Sequence, residues 1–413
     1  MAAPDFSATG AAPSGTLVDT INSILQNSDK YTLATWFPTT FAGQSGNTYL
    51  TFGGVSEPNI RPSAAAAFGL AVSLATGSYN STVTGISEAS ARVTCAKLVR
   101  SLAEKHRANT VGGWGRAWQS NLWAALAAQA GWLIYSDLTS GERILLANMI
   151  AYEADWRLSD RIVYWKNSAG TVLSPGDSKA EELSWNGMLL QAAVLMLPTH
   201  PHRGGWYNKM VRLMVAAHSK QSDLTSGEIV DGVNISNFLD GWNINSDGTI
   251  ENHSRIHPDY MSTATHNLQA SSLFGLAGLR PPKAAFHNAD LIYSAMTSKN
   301  FTVPPYLSPG GTIYIPGSGD LYYPQANDWG TNRRMQAVAF DVFMDATGRS
   351  DTAASWAALH AAQVVTMQAR SSTGQTYVAA GEDTYAGREQ WVAMHAGWSR
   401  LAQWVAARNK YSA

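Results

Sequence analysis

Twelve stretches of this chain repeat apolar residues at i, i+3 and i+4, and almost none alternate apolar with polar. They run roughly 16–27, 62–76, 87–107, 116–135, 139–158, 179–197, 205–219, 262–276, 284–296, 332–347, 351–369 and 388–408, the spacing of one helical face. Several starts are marked chemically. Asp137-Leu-Thr-Ser-Gly-Glu142 supplies cap residues before Arg143-Ile-Leu-Leu. Pro201 and Gly204-Gly205 interrupt the chain before Trp206, and Asp351 precedes Thr352-Ala-Ala-Ser-Trp. Strand signals are few: Thr312-Ile-Tyr-Ile315 and Asp320-Leu-Tyr-Tyr323 read as a hairpin through Pro316-Gly-Ser-Gly319, with two shorter candidates at Tyr49–Phe52 and Tyr164–Val172.

The expected fold class is therefore all-α. Short links favour sequential antiparallel pairs, and twelve helices so paired suit an (α/α)6 toroid with a small β-hairpin near 312–323. No Pro/Gly/Ser linker splits the helical series, so residues 1–413 read as a single domain, with 1–15 a flexible N-terminal segment. The polar connections 30–61, 158–178, 220–261 and 297–331 would gather at one rim. Long loops in a compact domain are usually functional.

Composition narrows the function classes. Lys and Arg number 29 against 30 Asp and Glu, a net charge of −1 with no basic stripe, so nucleic acid is a poor partner. No apolar run reaches the ~18 residues a membrane-spanning helix needs, so no membrane partner is expected. The single cysteine, Cys95, permits no intrachain disulfide. The first 15 residues lack a charged, then apolar, leader pattern. Low charge and abundant Ser, Thr, Gly and Asn suggest a secreted protein, and a monomer is expected. Many of the 15 Trp sit beside Gly, Asn or His: Trp114, Trp118, Trp185, Trp206, Trp242 and Trp329. Such rings suit stacking on sugars, or simply packing as large core residues with a polar handle.

The densest chemistry lies in Ser246-Asp-Gly-Thr-Ile-Glu-Asn-His-Ser-Arg-Ile-His-Pro-Asp-Tyr260, with two imidazoles, three acids, one Arg and one phenol. Loops rich in ionisable groups on a helical scaffold are where chemistry usually sits. His253 and Tyr260, with Arg255 between, suit proton transfer at a carbon beside a carboxylate. Glu251, His253, His257 and Asp259 also offer metal-type ligands, but Pro258 argues against a long helix that would give both imidazoles one face. No cofactor is expected; Ca²⁺ stays open.

Within that stretch, Asp247-Gly-Thr-Ile-Glu-Asn-His253 followed by Tyr260 resembles the Asp-Gly-Ser-x-x-x-His and later Tyr of polysaccharide lyases with an α/α-toroid domain, the chondroitin AC/hyaluronate lyase type. Thr249 replaces the Ser, and Tyr260 lies nearer the His than in that family. Gly176-Asp-Ser-Lys-Ala-Glu-Glu-Leu-Ser-Trp-Asn186 is similar to the Asn-bearing helix of heparinase II/III-like and alginate lyases. Asn327-Asp-Trp-Gly-Thr-Asn-Arg333-Arg334 resembles their Arg-rich segment, and Gly381-Glu-Asp-Thr-Tyr-Ala-Gly-Arg388-Glu389 is a further charged loop. The resemblance covers the helical part, and the family's usual C-terminal β-sandwich has no counterpart here.

The resemblance implies β-elimination on a uronic-acid-containing polysaccharide. Asn186 and Arg333 or Arg334 would stabilise the substrate carboxylate as its charge grows. His253 or Tyr260 would take the C5 proton, and Tyr260 would protonate the leaving oxygen. Trp114, Trp118, Gln119, Trp185, Trp242, Arg255, Trp329, Glu382 and Arg388 would line the substrate cleft. Two alternatives stay open. An inverting glycoside hydrolase could draw on Glu153, Asp155, Glu181, Asp240, Glu251, Asp259 and Glu382. A non-catalytic carbohydrate-binding protein would need only the Trp cleft.

Overall fold

The computed structural model describes residues 1–7, 11–330 and 332–408. Among them are twelve α-helices of seven or more residues. These are α1 (Thr16–Tyr31), α2 (Glu57–Ala75), α3 (Glu88–Glu104), α4 (Ser120–Leu133), α5 (Ser140–Ser159), α6 (Ala180–Met196), α7 (Arg203–Ala217), α8 (Ala270–Leu276), α9 (Ala289–Thr297), α10 (Arg334–Ala346), α11 (Ala353–Gln368) and α12 (Arg388–Ala407). The all-α expectation holds. The start of α5 follows the sequence signal closely: Thr139 Oγ accepts from the Glu142 amide and the Glu142 carboxylate accepts from the Thr139 amide, a reciprocal cap.

The helices divide into two kinds. Every residue of α4 is buried, as are Ile60–Leu74 of α2, Leu183–Met196 of α6, Met335–Met344 of α10 and Glu389–Ala402 of α12. By contrast α1, α3, α5 and α11 bury one stripe. A helix apolar on all sides belongs in an interior, a one-striped helix on a surface. The buried set packs pairwise: α2 on α4, α4 on α6, α6 on α8, α8 on α12, α10 on α12, and α12 back on α2. Ala runs in α2 and α4 permit the close approach. Gly69 of α2 lies against Ala393 of α12, where an added Cβ would stand 2.9 Å from the Ala393 carbonyl oxygen.

Three expectations are corrected. The stretch 262–276 is not one helix. It forms a 3₁₀ turn at Ser262–Ala264, a four-residue helix at Thr265–Leu268, then α8. Ser262, Thr263, Thr265 and Ser271 each donate their hydroxyl to a carbonyl three residues back, which competes with regular helix. The hairpin near 312–323 shrinks to one antiparallel bridge, Tyr314 to Leu321, and Tyr49–Phe52 forms no strand. Three two-residue antiparallel pairs occur instead: Lys166–Asn167 with Gly241–Trp242, Ile229–Val230 with Val233–Asn234, and Glu251–Asn252 with Arg255–Ile256. The first residues lie against the helices. The Ala2 amide donates to the Met196 carbonyl at 2.7 Å, and the Trp132 indole donates to the Ala2 carbonyl at 2.9 Å.

Candidate active site

The pair Glu251–Asn252 and Arg255–Ile256 is joined by two residues only, His253 and Ser254, at φ 51° and 61°. A two-residue hairpin turn with both residues left-handed normally uses Asn and Gly. Here an imidazole occupies that strained tip, and strain of this kind persists only where surroundings enforce it. They do. Ser254 donates its amide to the Gly176 carbonyl at 2.9 Å, and Ser178 donates to the Glu251 carbonyl at 2.9 Å. Gly176, at φ 69°, has no room for a Cβ, which would fall 2.2 Å from the Ser254 hydroxyl. The segment that opens α6 therefore grips the hairpin and fixes His253 near the start of α6.

The His253 ring spans two partners. Its Nδ1 lies 2.6 Å from Asp328 Oδ2, and its Nε2 lies 2.9 Å from the Tyr260 hydroxyl. A carboxylate can only accept, so Nδ1 carries the proton and Nε2 receives the phenol's hydrogen bond. The order is Asp328, His253, Tyr260. Asp328 also accepts from His257 Nε2 at 2.8 Å. Burial alone would raise the Asp328 carboxyl, but its hydrogen bonds from His257 and His253 hold it down at about 2. Tyr260 follows the N1 proline Pro258 in a four-residue helix, Pro258–Met261. Burial pushes its phenol well above the usual value, so it rests protonated.

These groups border a cavity of about 230 Å³ whose walls include Trp118, Gln119, Glu181, Asp259, Trp329 and Arg333. A second hollow of about 390 Å³ shares Trp118, Glu181, His253 and Tyr260 with it. Glu181, one of the carboxylates open to the hydrolase alternative, lines both hollows. Burial and the adjacent Glu182 push its carboxyl up to about 8, against the opposing pull of Arg61 and Arg333. It is thus a neutral acid at neutral pH, able to donate a hydrogen bond. Arg333 donates twice to Asp383, at 2.9 and 3.1 Å, and stacks 4.0 Å from the Trp329 ring centre. Arg61 stacks 3.6 Å from the Tyr385 ring centre and donates to Gln119 Oε1 at 3.3 Å. Both cations are committed, so they set the field of the cavity and leave direct donation to others.

The remaining sequence candidates separate. Asn186 is buried on α6 and lines a different hollow from His253. Arg334 turns away to pair with Asp320, because consecutive residues at a helix start face different directions. Trp114 is core: 1 % exposed, with its indole donating to the Leu102 carbonyl. Trp185 is fully buried under Trp118, and Trp242 is 6 % exposed beside Lys166. Arg255 folds back on the His253 carbonyl at 3.2 Å. Glu382 caps the Val378 and Ala379 amides and pairs with Arg370. Arg388 borders a separate depression of about 700 Å³ beyond Tyr385. Trp118, Gln119 and Trp329 do line the cavity that His253 and Tyr260 border. The sequence assigns no role to Asp328, Arg61 or Tyr385, and offers His257 only as a metal-type ligand. Asp328 adjoins the flagged Trp329, but nothing local in sequence aims it at an imidazole 75 positions earlier.

His253, His257 and Asp328 also offer ligand atoms within 4.8 Å of one another, a donor set that suits a zinc-type cation. A metal there would take up Nδ1 of His253 and leave Nε2 facing Tyr260. No protein-family model and no curated protein matches this chain.

Proposed function

We propose that the chain is a polysaccharide lyase that cleaves a uronic-acid-containing polymer by β-elimination. The observation that carries the reading is the hydrogen-bonded order Asp328, His253, Tyr260 at the edge of a cavity walled by Trp118 and Trp329. A sugar ring seated between these indoles would present C5 to the Tyr260 oxygen. As that oxygen takes the C5 proton, its own proton passes to His253 Nε2, and Asp328 stabilises the imidazolium. The electron pair from the C5–H bond forms the C4–C5 double bond, and the C4–O bond breaks. Tyr260 then gives its proton to the departing glycosidic oxygen and recovers one from His253. Protonated Glu181, with the Gln119 amide beside it, would hydrogen-bond the substrate carboxylate as charge builds on it. In this scheme Glu181 takes the role first assigned to Asn186.

The finer architecture belongs to the same proposal. The buried helices α2, α4, α6, α8, α10 and α12 would form the inner ring of an (α/α)6 toroid, with the others outside. The pairwise packing supports it, since α12 returns to α2, and Thr265–Leu268 contacts both α6 and α10.

One observation favours a second reading. Glu181 is a carboxyl held protonated, and Asp259 lines the same cavity, so an inverting glycoside hydrolase would have its acid and a candidate base. A panel of uronate-containing polysaccharides, read by near-ultraviolet absorbance, separates the two. Elimination leaves an absorbing unsaturated uronate. Reducing ends without absorbance would replace the lyase with the hydrolase, and no product from any uronate polymer would remove both.

A further inference from the structure

Trp118 stands 57 % exposed between the reactive cavity and a third hollow of about 390 Å³ on its other side. That hollow is strongly cationic. Arg116, Arg157, Arg161 and Lys209 line it, against two carboxylates, Asp160 and Glu182. Two of the cations are held by the protein itself. Arg157 pairs with Asp160 at 2.5 Å and donates to Asn121 at 2.8 Å, and Lys209 donates to the Asp160 carbonyl. Arg116 stacks 4.6 Å from the Tyr152 ring centre, and Arg116 and Arg161 are exposed and form no ion pair among the described residues.

The floor supplies an independent sign. Asn186 is only 8 % exposed, lines the hollow, and its buried Oδ1 has no hydrogen-bond partner. The loop above is also held with unusual care. Buried Glu153 accepts from His106 at 3.0 Å, from Ser120 at 2.7 Å and from the Arg116 amide at 2.7 Å. This fixes Arg116 at φ 50° and aims the loop carrying Arg116 and Trp118 across the two cavities.

We propose that this hollow is a subsite for an acidic sugar residue of the bound polymer. Its carboxylate or sulfate would sit against Arg116 and Arg161 and its ring on Trp118, over a floor to which Asn186 contributes. The inference rests on the reading of the neighbouring cavity as one that works on an acidic polysaccharide. It adds that recognition needs a second acidic sugar beyond the one that reacts, so a polymer with isolated uronates binds worse than one with repeated acid groups.

The test is a fluorescence titration of the intrinsic indoles at low salt. The probes are hexasaccharides of hyaluronan, polygalacturonate and alginate, with cellohexaose as the neutral control. At least one acidic hexasaccharide should bind, with cellohexaose about tenfold or more weaker. Arg161→Gln and Asn186→Ala should each weaken that binding by about tenfold, with circular dichroism unchanged. Arg116→Gln, another exposed change, serves as the second variant should Asn186→Ala disturb α6. Failure of all three acidic probes to bind, equal binding of cellohexaose, or unaltered binding by Arg161→Gln and Arg116→Gln would overturn the subsite. The two readings fail separately. Arg161-dependent binding without an absorbing product would keep the subsite and remove the lyase. Elimination unaffected in KM by both Arg variants would do the reverse.

Discussion

Tyr260 contributes one hydroxyl to the cavity, and the proposed chemistry passes through it twice. Tyr260→Phe removes that hydroxyl and little volume, so the fold should survive while turnover falls by about 10² or more with substrate binding little changed. His253→Ala should act similarly, because it removes the group that relieves Tyr260 of its proton. Near-normal elimination by Tyr260→Phe, measured by absorbance, would sink the relay even with the fold intact. The hydrolase reading expects the converse: Tyr260→Phe barely matters and Asp259→Asn abolishes cleavage. Glu181 gives a separate signature in stability. Its folded value of about 8 lies above the unfolded carboxyl value of about 4.3. The folded state therefore holds a proton that the unfolded chain has lost, and this contribution is complete below the unfolded value and disappears as pH rises through about 8. Glu181→Gln mimics the protonated form at every pH. The variant should gain Tm relative to the parent progressively as pH rises across that window, and a gain equal at both ends would mean Glu181 is not held protonated.

Between the residue and the molecule, two devices decide whether the site exists. One is the hairpin Glu251–Ile256, whose left-handed tip carries His253 and whose back rests on Gly176. Its chemistry was legible in sequence as a cluster of imidazoles and acids, but its shape was not. Neither His nor Ser announces a left-handed turn, and the grip comes from Gly176, some 78 residues before Ser254 in the chain. The same limit explains Asn186 and Trp114. Each lies in a motif of the right kind, yet which side of the buried helix α6 faces which hollow, and whether the bridge residue Trp114 turns inward ahead of α4, depends on packing that has no local period. The other device is the meeting of α2 with α12, helices from opposite ends of the chain. Gly69→Ala places a Cβ 2.9 Å from the Ala393 carbonyl oxygen and 3.0 Å from its Cβ. Both neighbours belong to a buried helix that has little room to retreat. Overpacking should cost about 1–3 kcal/mol, read as a lower urea midpoint, and an unchanged midpoint would mean that the two helices do not meet this closely.

At the scale of the whole molecule, the apolar period located nearly every helix, because each of the twelve must bury at least a stripe. It could not by itself rank them. A helix buried on one face and a helix buried on all faces carry similar local spacing, and the difference appears only when the fully apolar runs of α4 and α6 are set against the charged outer faces of α3 and α5. The hairpin near 312–323 misled for a related reason: aromatic and β-branched residues there serve the interior, where Tyr314 is fully buried beside His360. The packing has a consequence for folding as a unit. Buried helices from the first and last parts of the chain share one interior, and α12 touches α1, α2, α8 and α10. No half of the chain can then keep its core without the other. Urea unfolding should follow one transition, with indole fluorescence and far-ultraviolet circular dichroism superimposable. Gly69→Ala should shift both curves together, since the contact it strains joins the two ends of the sequence. A variant in which fluorescence moved first and helicity later would divide the chain into independently folding parts, and the single shared interior would have to be abandoned.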